Sequence, residues 1–172
     1  GGGRTLVIGT YGGEWTATSD GAVMTPTDIS VVRNTTYGAK LKQPLLIGNR
    51  LLFLQRAGRK IMELGFSFED DSYRGFDVTR LARHITYGGI DEMAYAQEPD
   101  PIVWAVRSDG VLIGLTYNRD EDIMGWFQCI LGGVFGSGDP VVESVAVIPG
   151  TNGAGQVQDS TSRDEVWITV KR

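Results

Sequence analysis

The chain has 172 residues, 16 basic against 21 acidic, for a formal net charge of −5. That balance excludes a basic nucleic-acid footprint over the chain as a whole. One cysteine excludes an internal disulfide, and with a single histidine it leaves too few members for a histidine-rich metal site or a cysteine–histidine pair.

No apolar run reaches the roughly 18 residues of a membrane-spanning helix. The 24 glycines are about twice the average usage, and they gather where strands would have to turn. From the N-terminus, "LVIGTYGGEWTAT" (6–18) reads as a β-hairpin turning at Gly12-Gly13. The strand "PLLIG" precedes "LLFLQRAGRKIMELGF" (51–66), a hairpin turning through Ala57-Gly58. "DVTRLARHI" (77–85) is the one helical pattern, with Asp77 as N-cap and Val78, Leu81 and Ile85 on one face. It reads as a short surface helix.

"IDEMAYAQ" then leads into "IVWAVRSDGVLIGLTYN" (102–118), in which Ile102, Trp104 and Val106 alternate with Val103 and Ala105 up to Ser108-Asp109-Gly110. Gly110 is expected at positive φ. Both faces of this hairpin are largely apolar, as in the inner pair of a layered sheet. "IMGWFQCIL" (123–131) closes a four-strand meander over 91–97, 102–107, 111–118 and 123–131. "VESVAVIPG" and "DEVWITVKR" supply a last strand pair, with Trp167 expected where Trp104 falls. The stretches "GGVFGSGDP" and "PGTNGAGQVQDSTSRD" read as exposed loops.

The hairpin is a repeated unit. Equivalent starts at Leu6, Leu51, Ile102 and Glu165 are spaced by 45, 51 and 63 residues, in or just above the range of propeller blades. The expected fold class is all-β: antiparallel β-meander blades in a partial β-propeller of about three blades, with one short inserted helix. The approximate blades are 4–38, 43–86, 90–131 and 141–172 of a single propeller-like body spanning 1–172, the first and last incomplete. Propellers typically need at least four blades, so a piece of a longer protein is expected, with Gly1-Gly2-Gly3 either native loop or added residues.

Candidate chemistry is sparse. His84 lies beside Arg80 and Arg83, and Cys129 sits in an apolar strand as a small hydrophobe. Asp91, Glu92, Glu98 and Asp100 cluster enough to raise a carboxylate pair of glycosidase type, but Glu98-Pro99-Asp100-Pro101 reads first as a turn. The acidic runs at 69–71 and 119–123 lack the spacing of an EF-hand loop. Asn34 opens a formal glycosylation sequon. Phosphate-loop, nucleophile-elbow and dinucleotide fingerprints are missing from the sequence. The expectation is a protein that is not an enzyme, with no catalytic, cofactor-binding or metal residues assigned and no cofactor.

Several segments together resemble one family. "VIGTYGGEW", "TPTDISVVRNTTYGA", "LLFLQRAGRKIMELGFSFEDDSY", "DVTRLARHIT", "IDEMAYAQEPDPIVWAVRSDGVLIGLTYNRDEDIMGW", "ESVAVIPG" and "DEVWITVKR" are similar, in order, to the central part of the tail nozzle (tail tubular) proteins of short-tailed bacteriophages and prophages. The resemblance implies a structural virion protein of the viral tail, assembled in the bacterial host cytoplasm. It implies a β-propeller body, a six-fold homo-oligomeric ring that contacts tail adaptor proteins, and DNA present only as transiting cargo during ejection, with no membrane anchor. The rival reading is a propeller binding module for a glycan or partner protein, which exposed Tyr73, Phe76, Tyr87 and Phe135 would serve. A propeller glycosidase or depolymerase comes third.

Overall fold

A computed structural model describes residues 5–19, 21, 23–150 and 163–172. Among the described residues, thirteen strands and one helical turn form two compact units, one running to Asp77 and one beginning at Val78. The strand pairings named below are all antiparallel.

In the first unit, β1 (Thr5–Thr10), β2 (Gly13–Thr18) and β3 (Ser30–Thr35) form a three-stranded meander. Its first turn is Tyr11-Gly12 rather than Gly12-Gly13, because Gly13 already pairs with Thr10, whose hydroxyl donates to the Gly13 carbonyl at 2.6 Å. The next sheet is the meander β4 (Leu45–Ile47), β5 (Arg50–Leu54), β6 (Ile61–Ser67) and β7 (Ser72–Asp77). Its apolar inner pair is buried as the two-faced pattern of 51–66 requires: Leu52, Leu54, Ile61 and Leu64 are all sealed from solvent. Phe53, Met62 and Leu64 form a core that Val7, Leu51 and Tyr73 extend.

In the second unit, β8 (Ile90–Ala96), β9 (Ile102–Arg107), β10 (Leu112–Asn118) and β11 (Ile123–Cys129) run in the spatial order β11-β10-β9-β8. The inner position of β9 and β10 explains their two apolar faces. The second and third turns of the two four-stranded sheets have the same construction. The inner hairpins close on a left-handed glycine whose N–H donates three residues back, Gly58 to the Gln55 carbonyl at 2.7 Å and Gly110 to the Arg107 carbonyl at 2.8 Å. The next hairpins close on four-residue turns, 68–71 and 119–122, each ending in an aspartate at positive φ, Asp71 and Asp122.

The hairpin of β12 (Val141–Pro149) and β13 (Asp164–Lys171) repeats β8–β9 down to its irregularity. The β8 ladder steps from Ile90 to Glu92 and the β12 ladder from Val142 to Ser144. Two residues further on, Ala94 faces Trp104 and Ala146 faces Trp167. The two tryptophans therefore hold equivalent register positions, but their surroundings differ. Trp104 is half-buried and meets Phe127 edge-on at 5.6 Å, across Gly114 of the intervening strand. Trp167 is 59% exposed, because among the described residues no strand pairs with the far edge of β13.

The helix expected over 77–85 is shorter than the pattern implies. Asp77 stays in β7 opposite Met62 and pairs with Lys60 at 3.7 Å, and the N-cap of the helix is Ala82 instead. The Trp126 indole donates to the Val78 carbonyl at 3.0 Å, the acceptor that a helix would give to the Ala82 N–H. Ala82 turns to the Thr79 carbonyl instead, at 2.9 Å. Only α1 (Arg83–Thr86) is helical, and Leu81, expected on the packed face, is 93% exposed. The loop 132–140 is exposed up to Asp139. Residues 151–162, expected as loop, and Gly1 to Gly3 lie outside the described residues.

Gly110 has φ of 84°, and a Cβ there would stand 2.5 Å from Cγ1 and 3.0 Å from Cα of Val141. Gly110→Val is expected to destabilise the protein by about 1 kcal/mol for the backbone conformation, with the clash in addition. A thermal melt checks this, and an unchanged midpoint would refute the turn.

Candidate functional site

Two carboxylates, those of Glu92 and Asp164, tie strands and turns together in the second unit. Glu92 is half-buried, and its Oε2 accepts the Val145 N–H at 3.0 Å, fastening β12 across β8. Glu98 contributes backbone: its carbonyl accepts the Asp164 N–H at 3.0 Å, while Asp164 Oδ2 accepts the Gln97 and Glu98 N–H groups at 2.6 and 3.0 Å. Asp164 was invisible to sequence reasoning because it lies 66 residues from its partners. The Tyr95 phenol is pushed above its usual range, first by burial and then by the Asp164 and Glu98 carboxylates. Asp100 is exposed. These groups close a turn onto a strand end.

The other acidic runs are turn chemistry. Asp70 accepts from Ser67 Oγ at 2.8 Å and pairs with Arg74 at 2.5 Å. Asn118 Oδ1 accepts the Asp120 and Glu121 N–H groups at 3.1 and 3.3 Å, and Arg119 pairs with Asp122 at 3.2 Å. Among the described residues, no group of three His, Cys, Asp or Glu side chains is placed to hold a metal ion. His84 is exposed on α1. The Asn34 amide donates to Thr16 Oγ1 at 2.8 Å. Tyr73, expected in a loop, packs on the core of the first unit and edge-on to Phe66 at 5.4 Å. Phe76, Tyr87 and Phe135 are exposed.

A cavity of about 410 Å³ in the first unit was not marked by any motif. Its walls come from three places. Val7, Tyr11 and Glu14 belong to the first hairpin, Leu51, Phe53 and Arg56 to β5 and the turn after it, and residues 39–44 cross between them. The crossing is held on both sides: the Ala39 N–H donates to the Thr10 carbonyl and the Lys40 N–H to the Leu54 carbonyl, both at 2.8 Å. Gly38, at φ of 77°, carries the turn into it, and a Cβ there would collide with the Tyr11 carbonyl.

Glu14 is 1% exposed and lines this cavity. Thr35 Oγ1 donates to its Oε2, whereas its Oε1 is buried with no hydrogen-bond partner among the described residues. Leaving such a group unsatisfied costs about 1–3 kcal/mol or more. At the opening, the Arg56 guanidinium lies 5.6 Å from the centroid of the Tyr11 ring, and Lys42 is exposed.

No protein-family model and no curated protein matches this sequence.

Two consequences can be measured. Glu92→Ala removes a charged acceptor from a buried backbone N–H and is expected to cost about 1.5–3 kcal/mol, with Glu92→Gln milder because it keeps an acceptor oxygen; chemical denaturation checks the order. Burial raises the Cys129 thiol above its free value. A raised thiol pKa lowers the thiolate fraction at neutral pH, and the thiolate is the reactive species. Alkylation of the folded protein should therefore be slower than that of a free thiol at pH 7, with its rate midpoint shifted to higher pH. A midpoint at or below that of the unfolded chain would refute the shift.

Proposed function

We propose that this chain is part of a phage tail nozzle, a structural wall through which DNA passes during ejection. Support comes first from the ordered similarity of its segments to the tail nozzle proteins of short-tailed phages. The observation that carries the reading furthest is the sharing of parts between meanders: the two four-stranded sheets share a left-handed glycine turn and a left-handed aspartate turn, and β8–β9 shares with β12–β13 a bulged hairpin with its tryptophan opposite alanine. A stack of such meanders is the construction of a propeller wall.

Charge is consistent with a conduit. A basic wall would hold a sliding polyanion through counterion release, and a neutral or acidic one would let it pass. The chain carries −5 overall. In the proposed assembly it works as a subunit of a homo-oligomeric ring in the virion tail, in contact with adaptor proteins and without catalysis.

The far edge of β13 and the exposed Trp167, Leu6 and Ile8 are surfaces that strand pairing or subunit packing would cover. The protein should self-associate in light scattering as its concentration rises and show negligible binding to double-stranded DNA at physiological salt. Submicromolar DNA affinity, or turnover of a capsular polysaccharide, would overturn the conduit reading.

A further inference from the structure

Charge is divided unevenly between the two units. Residues 1–77 hold 9 basic and 8 acidic side chains, and residues 78–172 hold 7 basic and 13 acidic, so the first unit carries +1 and the second −6. Three of the nine cations of the first unit line its cavity: Lys40, half-buried, and Lys42 and Arg56, both exposed. The only acid in that lining is Glu14, whose Oε2 is taken by Thr35. The rest is largely apolar, and two of its members reach solvent, Tyr11 at 74% exposure and Leu41 at 99%.

The second unit has an unpartnered sheet face of the opposite kind. In the β12–β13 hairpin, Val142, Val145, Val166 and Ile168 turn inward to the core. Trp167 stands opposite Ala146 and Glu165 opposite Ile148, which puts these four side chains on the other face. Trp167 and Ile148 are both exposed there. The Trp167 indole donates to Glu165 Oε2 at 3.1 Å, so a carboxylate is held beside the ring.

The two surfaces answer each other. A tryptophan that fills a desolvated pocket is the commonest kind of binding anchor. A cavity of about 410 Å³ has room for a large aromatic side chain. Its cations attract the face of an indole and, more strongly, the carboxylate beside it. The cavity also includes a strand glycine, Gly9 of β1, and it is across such a glycine, Gly114, that Trp104 meets Phe127.

We propose that copies of this chain associate head to tail, Trp167 of one entering the first-unit cavity of the next, with Glu165 meeting Lys40, Lys42 and Arg56 there. The proposal rests on the conduit reading for its expectation of self-association and names the surfaces that meet. Because the two patches differ, the contact propagates from copy to copy and closes into a ring where the rotation between copies allows.

Sedimentation velocity over a concentration series is the test. The wild-type chain should associate, and added salt should weaken the association. Trp167→Ala should weaken it about tenfold or more, as should Glu165→Lys or the pair Lys42→Glu and Arg56→Glu. All four positions are exposed, so these changes spare the core. Mixing decides the geometry. Trp167→Ala keeps an intact cavity and the Lys42→Glu, Arg56→Glu variant keeps an intact Trp167, so their mixture should form dimers and stop there. Glu165→Lys placed in one chain with Lys42→Glu and Arg56→Glu should restore association. Undiminished association of Trp167→Ala would overturn the proposal and leave the conduit reading standing, since that reading falls to submicromolar DNA affinity instead. A mixture that stays monomeric would also overturn it. So would a wild-type monomer at every concentration, whether Trp167 stays exposed or closes on its own chain, a result that needs no variant to fold.

Discussion

The structure depends on the left-handed glycine that closes each inner hairpin. Gly58 and Gly110 each donate to the carbonyl three residues earlier, and that single turn sets which residues of the two central strands face each other. A slip of one residue would send every side chain to the opposite face. Because Leu52, Leu54, Ile61 and Leu64 in one sheet, and Val103, Ala105, Ile113 and Leu115 in the other, are all buried, neither face could accept the exchange. The outer strands pair only with these inner ones, so they inherit the register. The Gly110 turn also reaches past its own sheet, since its carbonyl accepts the Val142 N–H at 2.9 Å and so seats β12.

Packing in the second unit combines an apolar contact with polar ties at its margins. Ala94, Val106, Leu112, Val142 and Val145 form the core between the two sheets, and Trp104 packs against it. Apolar contact alone is non-directional. Glu92 on the Val145 N–H and Asp164 on the Gln97 and Glu98 N–H groups add direction, because each hydrogen bond is satisfied at one offset only. Of the carboxylates that a sequence reader would collect as a catalytic pair, Glu92 is occupied by a backbone donor, whereas Glu98 contributes its backbone and Asp100 is exposed. Glu14 stands apart. One oxygen takes the Thr35 hydroxyl and the other is buried with no hydrogen-bond partner among the described residues.

Function on the conduit reading would reside in surfaces rather than in a reactive centre. On that reading, lateral strand edges are where pairing with another strand would extend the sheet. The exposed Trp167 marks this point, for its register equivalent Trp104 is half-buried beneath Phe127 across a glycine of the next strand. A partner covering Trp167 in the same manner would bring a strand with a small residue opposite it.

The sequence by itself determined the all-β class, the inner hairpins and the glycine at positive φ, because these are set by alternation and by turn residues within about twenty positions of one another, and the register equivalence of Trp104 and Trp167, because the same strand pattern recurs around both. The acidic runs lie at turns, where Asp71 and Asp122 take the left-handed conformation. Tertiary structure decided the rest. The helical pattern of 77–85 was cut to one turn because Trp126, 48 residues away, takes the Val78 carbonyl. Tyr73 went to the core because β7 presents it beside Phe66. The cavity joins residues from Val7 to Arg56 that share no motif, Glu14 among them. Local patterns specify conformation, whereas desolvation of a charged group depends on which distant segments exclude the water.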